Sequence, residues 1–293
     1  MTSILTNTSA MSALQTLRSI NSDLSTTQDR VSSGEKVGKA SDNVAYWSIS
    51  TTMNSDNKAL NAATDALGVG AAKVDTAYAA MDSAIDVVNE IKAKLTTASE
   101  TSVNKEQVQL EIKKLQEQLT AIGQAASFNG ENWAVQATAS STTVVDGFIR
   151  NSNGTVKVTT ATFNAGSYAL FNSIDSAGTA TGGVLASVMA VTLTSVSNQT
   201  NINTFMDNVQ GALDKLTDGA AALGALSARI DMQDSYSAKL SDAIEAGVSR
   251  LVDADMEEES ARLSALQTQQ QLAVQSLSIA NSSSQNIMTL FRG

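Results

Sequence analysis

The seven-residue spacing of Leu60, Leu67, Val74, Met81, Val88 and Leu95 constrains this chain more than any other feature, because it runs through six large apolar residues without a break. Three residues after the first five of these stand Ala63, Gly70, Ala77, Ala84 and Ile91. Large residues at one core position and mostly small ones at the other describe the seam of a coiled coil. The small positions let a second helix approach closely. A helix from about residue 58 to 97 rises ~1.5 Å per residue and extends roughly 60 Å, which makes it a rod.

Partner seams follow. Val108, Ile112, Leu115, Leu119 and Ile122 alternate steps of four and three, among polar residues such as Lys105, Glu106 and Lys113. The Ser/Thr-rich stretch 96–104 between the two seams predicts a turn joining antiparallel helices. A third seam starts near residue 200 and runs Ile202, Val209, Leu216, Leu223, Ile230, Ser237, Ile244 and Leu251, with Met206, Leu213, Ala220, Ser227, Asp234, Ser241 and Val248 in its second register. Polar residues enter both registers around 234–241, which predicts a softer or more exposed stretch.

Between the helical halves the texture changes. Residues 142–150 (TTVVDGFIR), 155–163 (TVKVTTATF), 166–171 (GSYALF) and 188–196 (VMAVTLTSV) are β-branched and aromatic runs, separated by NSNG and by SAGTATGG. The first two, joined through Asn153-Gly154, predict a hairpin. The fold class expected is mainly α: a long coiled-coil-like helical bundle built from the N- and C-terminal halves, with a small β-containing central insert.

The two ends share a further property. Residues 1–17 and 263–291 carry no charged side chain, yet each keeps a helical stripe. Ala10, Leu17, Leu24 and Val31 recur at seven, with Ala13 and Ile20 between them; Leu263, Leu266, Ala273, Leu277, Ala280, Ile287 and Phe291 form the other stripe. Hydroxyls and amides are buried at modest cost when hydrogen-bonded, whereas charges are not. Such termini suit helices that neighbours bury, since short helices of this kind are marginal alone in water.

Composition narrows function. The 293 residues include no Cys, His or Pro, so thiol chemistry, imidazole general bases and thiolate or imidazole zinc sites are absent. A net charge of −10 supplies no cationic excess for phosphates, and neither nucleic acid nor an anionic membrane is expected as a partner. No basic residue precedes Arg18 and no apolar run follows the initial Met, so no secretory signal peptide is read here. The acidic run Asp253, Asp255, Glu257, Glu258 and Glu259 is the one site-like cluster. It reads as a solvated face or as ion pairs with Arg250 and Arg262, with Asp255 and Glu259 on one helix face. No phosphate loop or nucleophile motif is present, and Trp47 and Trp133 read as packing residues. No cofactor or metal is expected.

Specific motifs sit at both ends. Arg30-Val31-Ser32-Ser33-Gly34 followed by Ala40-Ser41-Asp42-Asn43-Val44-Ala45 resembles the N-terminal signature of bacterial flagellins, and Phe128-Asn129-Gly130 matches the tripeptide closing that family's N-terminal helical pair. Ser249-Arg250-Leu251-Val252-Asp253-Ala254-Asp255 is similar to the family's C-terminal stretch, followed in order by Gln269-Gln270, Ala280-Asn281, Gln285-Asn286 and Leu290-Phe291-Arg292.

The resemblance implies a structural, non-enzymatic subunit of the extracellular flagellar filament that serves swimming motility. It leaves the cell unfolded by type III export, without a cleaved signal. Residues 1–40 with 255–293 would form the polymer core, 41–134 with 200–254 a helical rod, and 135–199 a small outward insert. Leu17, Ile20, Leu24, Val31, Leu263, Leu266, Leu277, Ile287 and Phe291 are then core-interface candidates, and Ser32, Ser33, Gly34, Asp42 and Asn43 form the core-to-rod turn. Implied partners are further copies of the chain, the export apparatus with an export chaperone, and hook-associated and cap proteins. The family's pattern for the animal innate receptor, an arginine with leucine four residues on and a glutamate on the next helix, falls on Val87, Ile91 and Glu111. The arginine is missing, which implies weak signalling. The alternatives are a hook–filament junction protein, whose inserts are usually larger, and a coiled-coil adhesin or other surface protein, which needs no charge-free ends. Moderate salt should favour assembly by screening the acidic subunits.

Overall fold

A computed structural model describes residues 7–138, 140–175 and 178–290, with side chains as far as Ser282. Five long helices dominate the described residues: α1 (Thr8–Ser33), α2 (Val44–Ala98), α3 (Lys105–Ala125), α6 (Gln199–Val252) and α7 (Met256–Leu290). Their ends follow capping chemistry. Asn7, Asn43, Asn104 and Asp255 each place a side-chain oxygen on the free N–H groups of a first turn. α1 stops at Gly34, whose φ of 76° lets its N–H reach Arg30 O at 2.8 Å.

The chain divides into two compact units, one made of the described residues up to Asn57 and from Asp242 onward, the other of Lys58–Ser241. In the second, every large residue of the first seam is buried, Leu60 to Leu95, and so are Ala63, Ala77, Ala84 and Ile91. Val108, Ile112 and Leu119 of α3 and Ile202, Val209, Leu216, Leu223 and Ile230 of α6 are buried as well, and all but Leu60 and Ala63 join one cluster. Lys94 Nζ meets Glu111 Oε2 at 2.7 Å, tying α2 to α3 across the turn at 99–104. Lys92 bonds Gln210, and Met81 lies beside Gly219, so α2 and α6 run antiparallel here. The polar stretch of the third seam splits by position: Met232, Asp234 and Tyr236 are exposed, whereas Ser237 is buried, and α6 continues through it unbroken.

The insert belongs to this unit. β1 (Ser127–Phe128) and β2 (Glu131–Asn132) pair through a turn in which Asn129 and Gly130 both take positive φ, 50° and 82°. β3 (Thr142–Arg150) and β4 (Val156–Phe163) form the expected antiparallel hairpin, pairing Arg150 with Val156 across the loop 151–155. A bulge between Val145 and Gly147 carries Asp146, whose carboxylate meets Arg229 of α6 at 2.6 Å.

The other two β-branched runs are not strands. GSYALF gives the short α4 (Ala165–Tyr168), and VMAVTLTSV gives the end of α5 (Ala186–Met189) and irregular chain. Between α4 and α5, β5 (Ser173–Ile174) and β6 (Ala180–Thr181) form a second small hairpin. Helix α3 holds the irregular stretch with side chains instead of a ladder. Gln116 Nε2 donates to the carbonyls of Val188 and Val191 at 2.9 and 3.1 Å, and Gln109 Oε1 accepts from Leu193 N at 2.6 Å. Those bonds satisfy backbone groups that a strand would have paired, so Leu185, Val188, Val191 and Leu193 can still be buried.

Two close approaches differ from the simple seam. A Cβ at Gly70 would overlap Val144 of β3, so this small position admits a strand and not a helix. Trp133 is buried and stacks on Phe163 with ring centroids 5.8 Å apart, whereas Trp47 on α2 is 38% exposed.

Candidate functional site

In the first unit α1 packs along α7. As the α1 partner advances from Asn7 to Asn21 to Arg30, the α7 partner retreats from Ala280 to Gln270 to Glu259, so the helices are antiparallel. Asn7 Nδ2 donates to Ala280 O at 3.0 Å, Gln270 Nε2 to Asn21 Oδ1 at 2.7 Å, and Arg30 Nη1 to Glu259 Oε1 at 3.1 Å.

The shielded positions alternate by three and four on both helices. On α1 they are Ala10, Ala13, Leu17, Ile20, Leu24, Thr27 and Val31; on α7 they are Glu259, Leu263, Leu266, Gln270, Ala273, Leu277 and Ala280. Of the sequence-derived interface residues, Leu17, Ile20, Leu24, Val31, Leu263 and Leu277 are half-buried and Leu266 is buried. The side chain of Ile287, and Phe291 altogether, lie outside the described residues.

What the stripes did not reveal is the outer surface. Met11 (63% exposed), Leu14, Leu272, Val274 and Ile279 (69%) stay exposed on the α1–α7 pair, beside neutral Ser, Thr and Gln side chains. A groove of about 770 Å³ runs between the helices, lined by residues such as Thr8, Ser12, Thr16, Gln269 and Leu272. Its lining holds hydroxyl, amide and aliphatic groups and no ionisable one. The exposed apolar residues would have been found from sequence by asking which large residues the internal stripe leaves out.

The two turns of this unit are stitched through backbone. Val252 O accepts from Lys36 N at 2.7 Å and from Val37 N at 3.3 Å, while Ala254 N donates to Gly34 O at 2.8 Å. Ser33 Oγ accepts from Glu35 N, and Asp42 Oδ2 accepts from Gly38 N and Lys39 N, closing the loop before Asn43 caps α2. Ser32 is exposed. The structure thus brings Ser33, Gly34, Asp42 and Asn43 into one continuous turn.

The acidic run resolves residue by residue. Asp253 forms an isolated bridge with Glu35 and accepts from Ser249, and Asp255 caps α7 instead of sharing a helix face with Glu259. Glu259 turns inward. Only 6% exposed, it meets Arg30 and, at 3.6 Å, Arg262, while its Oε2 has no partner among the described residues. Glu258 pairs with Arg262 at 2.9 Å. Among the described residues Arg250 forms no ion pair with the run, and its backbone carbonyl accepts from Lys36 Nζ at 3.1 Å. Among the described residues no three Asp or Glu side chains converge as metal ligands, and no helix is long and apolar enough to cross a membrane.

The receptor-face positions lie in the other unit. Val87 and Ile91 are buried in the helical core, and Glu111 is exposed. The hydrogen bond to Glu111 pushes the Lys94 ammonium above its ordinary 10.5.

Comparison with known proteins agrees with this architecture. Residues 4–138 match the bacterial flagellin N-terminal helical region and residues 206–291 the bacterial flagellin C-terminal helical region. Flagellin C of Rhizobium meliloti strain 1021 is 47% identical with both chains covered in full. Flagellin A of the same strain is 43% identical and the flagellin of Brucella melitensis biotype 1 is 45% identical, again over the whole of both chains. The matched regions leave 139–205 between them, the stretch that holds β3 to α5.

Proposed function

We propose, from the premise that this chain belongs to the bacterial flagellins and is a structural subunit of the extracellular flagellar filament used in motility, a division of labour along its length. The chain polymerises with copies of itself. The paired terminal helices, residues 1–40 with 255–293, form the polymer core; 41–134 with 200–254 form the rod around it; 135–199 face outward.

The observation that carries this reading is the two-sided character of α1 and α7. Leu17, Ile20, Leu24, Val31, Leu263, Leu266 and Leu277 seal the pair along its seam. Met11, Leu14, Leu272, Val274 and Ile279 remain for neighbouring subunits. A surface with large apolar residues and no charge is costly in water and favourable where other subunits cover it. Ser32, Ser33, Gly34, Asp42 and Asn43 set the turn from core to rod. The chain performs no catalysis in this role. Its transient partners are the export apparatus, an export chaperone and the hook-associated and cap proteins.

Seeded polymerisation of the purified chain, imaged by negative-stain electron microscopy, tests the core assignment. Full-length chain should elongate short seeds into uniform tubes, and a chain lacking 264–293 should not. Tubes from the truncated chain would overturn the assignment.

Weak signalling through the animal innate receptor is the second proposal, supported by Val87 in place of arginine and by the burial of both Val87 and Ile91. A receptor reporter responding at full strength to purified chain would refute it.

A further inference from the structure

Two Asn-Gly steps stand exposed between the long helices of the sequence, Asn129-Gly130 in the β1–β2 turn and Asn153-Gly154 at the tip of the β3–β4 hairpin. Their surroundings differ. Asn153 Oδ1 accepts from Thr155 N at 3.1 Å and from the Thr155 hydroxyl at 2.6 Å. That hydroxyl is itself aimed, because its oxygen accepts from Asn151 Nδ2 at 3.0 Å. Among the described residues nothing donates to Asn129 Oδ1.

We propose that the hairpin tip is a self-modification site at which Asn153 is converted to aspartate and its β-linked isomer, with Thr155 accelerating the step. Solvent base removes the proton of Gly154 N, and that nitrogen attacks Asn153 Cγ. A new C–N bond closes a five-membered succinimide. The old bond to the side-chain nitrogen breaks, and that nitrogen leaves as ammonia after taking a proton from solvent. Water then adds to either ring carbonyl and opens the ring: attack at Cγ leaves aspartate with its carboxylate on the side chain, and attack at the main-chain carbonyl leaves the β-linked isomer with its carboxylate on the α-carbon. No electrons are transferred, and water is the only co-reactant.

The chemistry places requirements on three residues. Gly154 has no side chain to obstruct attack by its own nitrogen, and its φ of 83° lies in the left-handed region that favours glycine. Negative charge develops on Asn153 Oδ1 as the new bond forms, and that oxygen already holds two donors at distances suited to an oxyanion. The opposing contact is the Gly154 N–H donation to Asn151 O at 2.9 Å. Giving up one exposed turn bond slows attack by no more than about tenfold. The product places a carboxylate near Arg150, whose Nη1 already reaches Gly154 O at 3.1 Å.

The test is peptide mapping by mass spectrometry of the intact chain held in mildly alkaline buffer at physiological temperature, following the gain of about 1 Da at each asparagine. In the folded chain Asn153 should convert at least about fivefold faster than Asn129, and the two rates should converge in concentrated urea. Thr155→Val, which keeps the backbone donor and removes the hydroxyl, should slow Asn153 severalfold and leave Asn129 unchanged; Thr155→Ser should restore the rate. Both variants lie at an exposed tip, and circular dichroism checks that they keep the helical fold. Equal rates at the two asparagines in the folded chain, or a Thr155→Val rate at Asn153 equal to that of the parent, would overturn the proposal.

Discussion

Arg30 of α1 reaches Glu259 of α7 across 229 positions of sequence, Nη1 to Oε1 at 3.1 Å, and so fixes the register of the two terminal helices at their turn end. The carboxylate is buried and the guanidinium about one third exposed, so the two partners are not equivalent. Arg30→Met leaves a buried carboxylate with only Arg262 beside it. Glu259→Gln leaves two arginines that can turn to water. The arginine substitution should therefore cost more, on the order of 1–3 kcal/mol, with the glutamine substitution below it. Urea unfolding followed by helical circular dichroism measures both, and the reverse order would refute this account of the pair.

Seam and outer-face residues should separate in their effects. Leu266→Ala removes a buried side chain and should destabilise the chain by roughly 2–3 kcal/mol. Ile279→Ser, at a residue already 69% exposed, should change monomer stability by less than ~0.5 kcal/mol yet impair seeded polymerisation. A variant of Ile279 that elongates seeds at the parental rate would remove this residue from the interface.

Two glycines are needed for different reasons. Gly34→Ala forces a left-handed φ of 76° on a residue with Cβ and should cost about 1 kcal/mol, with Asn tolerated better. Gly70→Ala instead drives a methyl into Val144, and overpacking of this kind costs roughly 1–3 kcal/mol. Val144→Ala should recover part of the Gly70→Ala loss in a double-mutant cycle, whereas it should do nothing for Gly34→Ala.

Acid should act locally at the β1–β2 hairpin. The hydrogen bond from Lys73, with its positive charge, holds the Glu131 carboxyl below its ordinary 4.5. A depressed acid stabilises the fold above the unfolded value, and that contribution disappears as pH falls through the lower folded value. Carbon NMR titration of Glu131 should therefore show a midpoint below 4.5 that moves upward in Lys73→Met. An unchanged midpoint in that variant would remove Lys73 as the cause.

The helical part of this architecture is legible because its signals are local. Leu60 through Leu95 keep one face at every seventh residue, and the Ser/Thr-rich stretch 96–104 marks the turn before the next apolar stripe. The failures have a common source. Residues 188–196 are β-branched, yet they find their hydrogen bonds in Gln109 and Gln116 of α3, partners some 70 to 90 positions away in sequence. Thr27 and Gln270 complete the α1–α7 seam, but apolar periodicity passes over them because they are polar.

By itself the sequence determined that long helices would form, which residues face inward on the heptads, and that the two ends carry no charge over long stretches. Each of these follows from propensity and period within a few turns of chain. Tertiary structure alone decided that Glu259, among five neighbouring acids, turns inward to Arg30. It also set Gly70 against a strand. Those choices depend on the register between segments far apart in the chain, which a local periodic pattern does not encode.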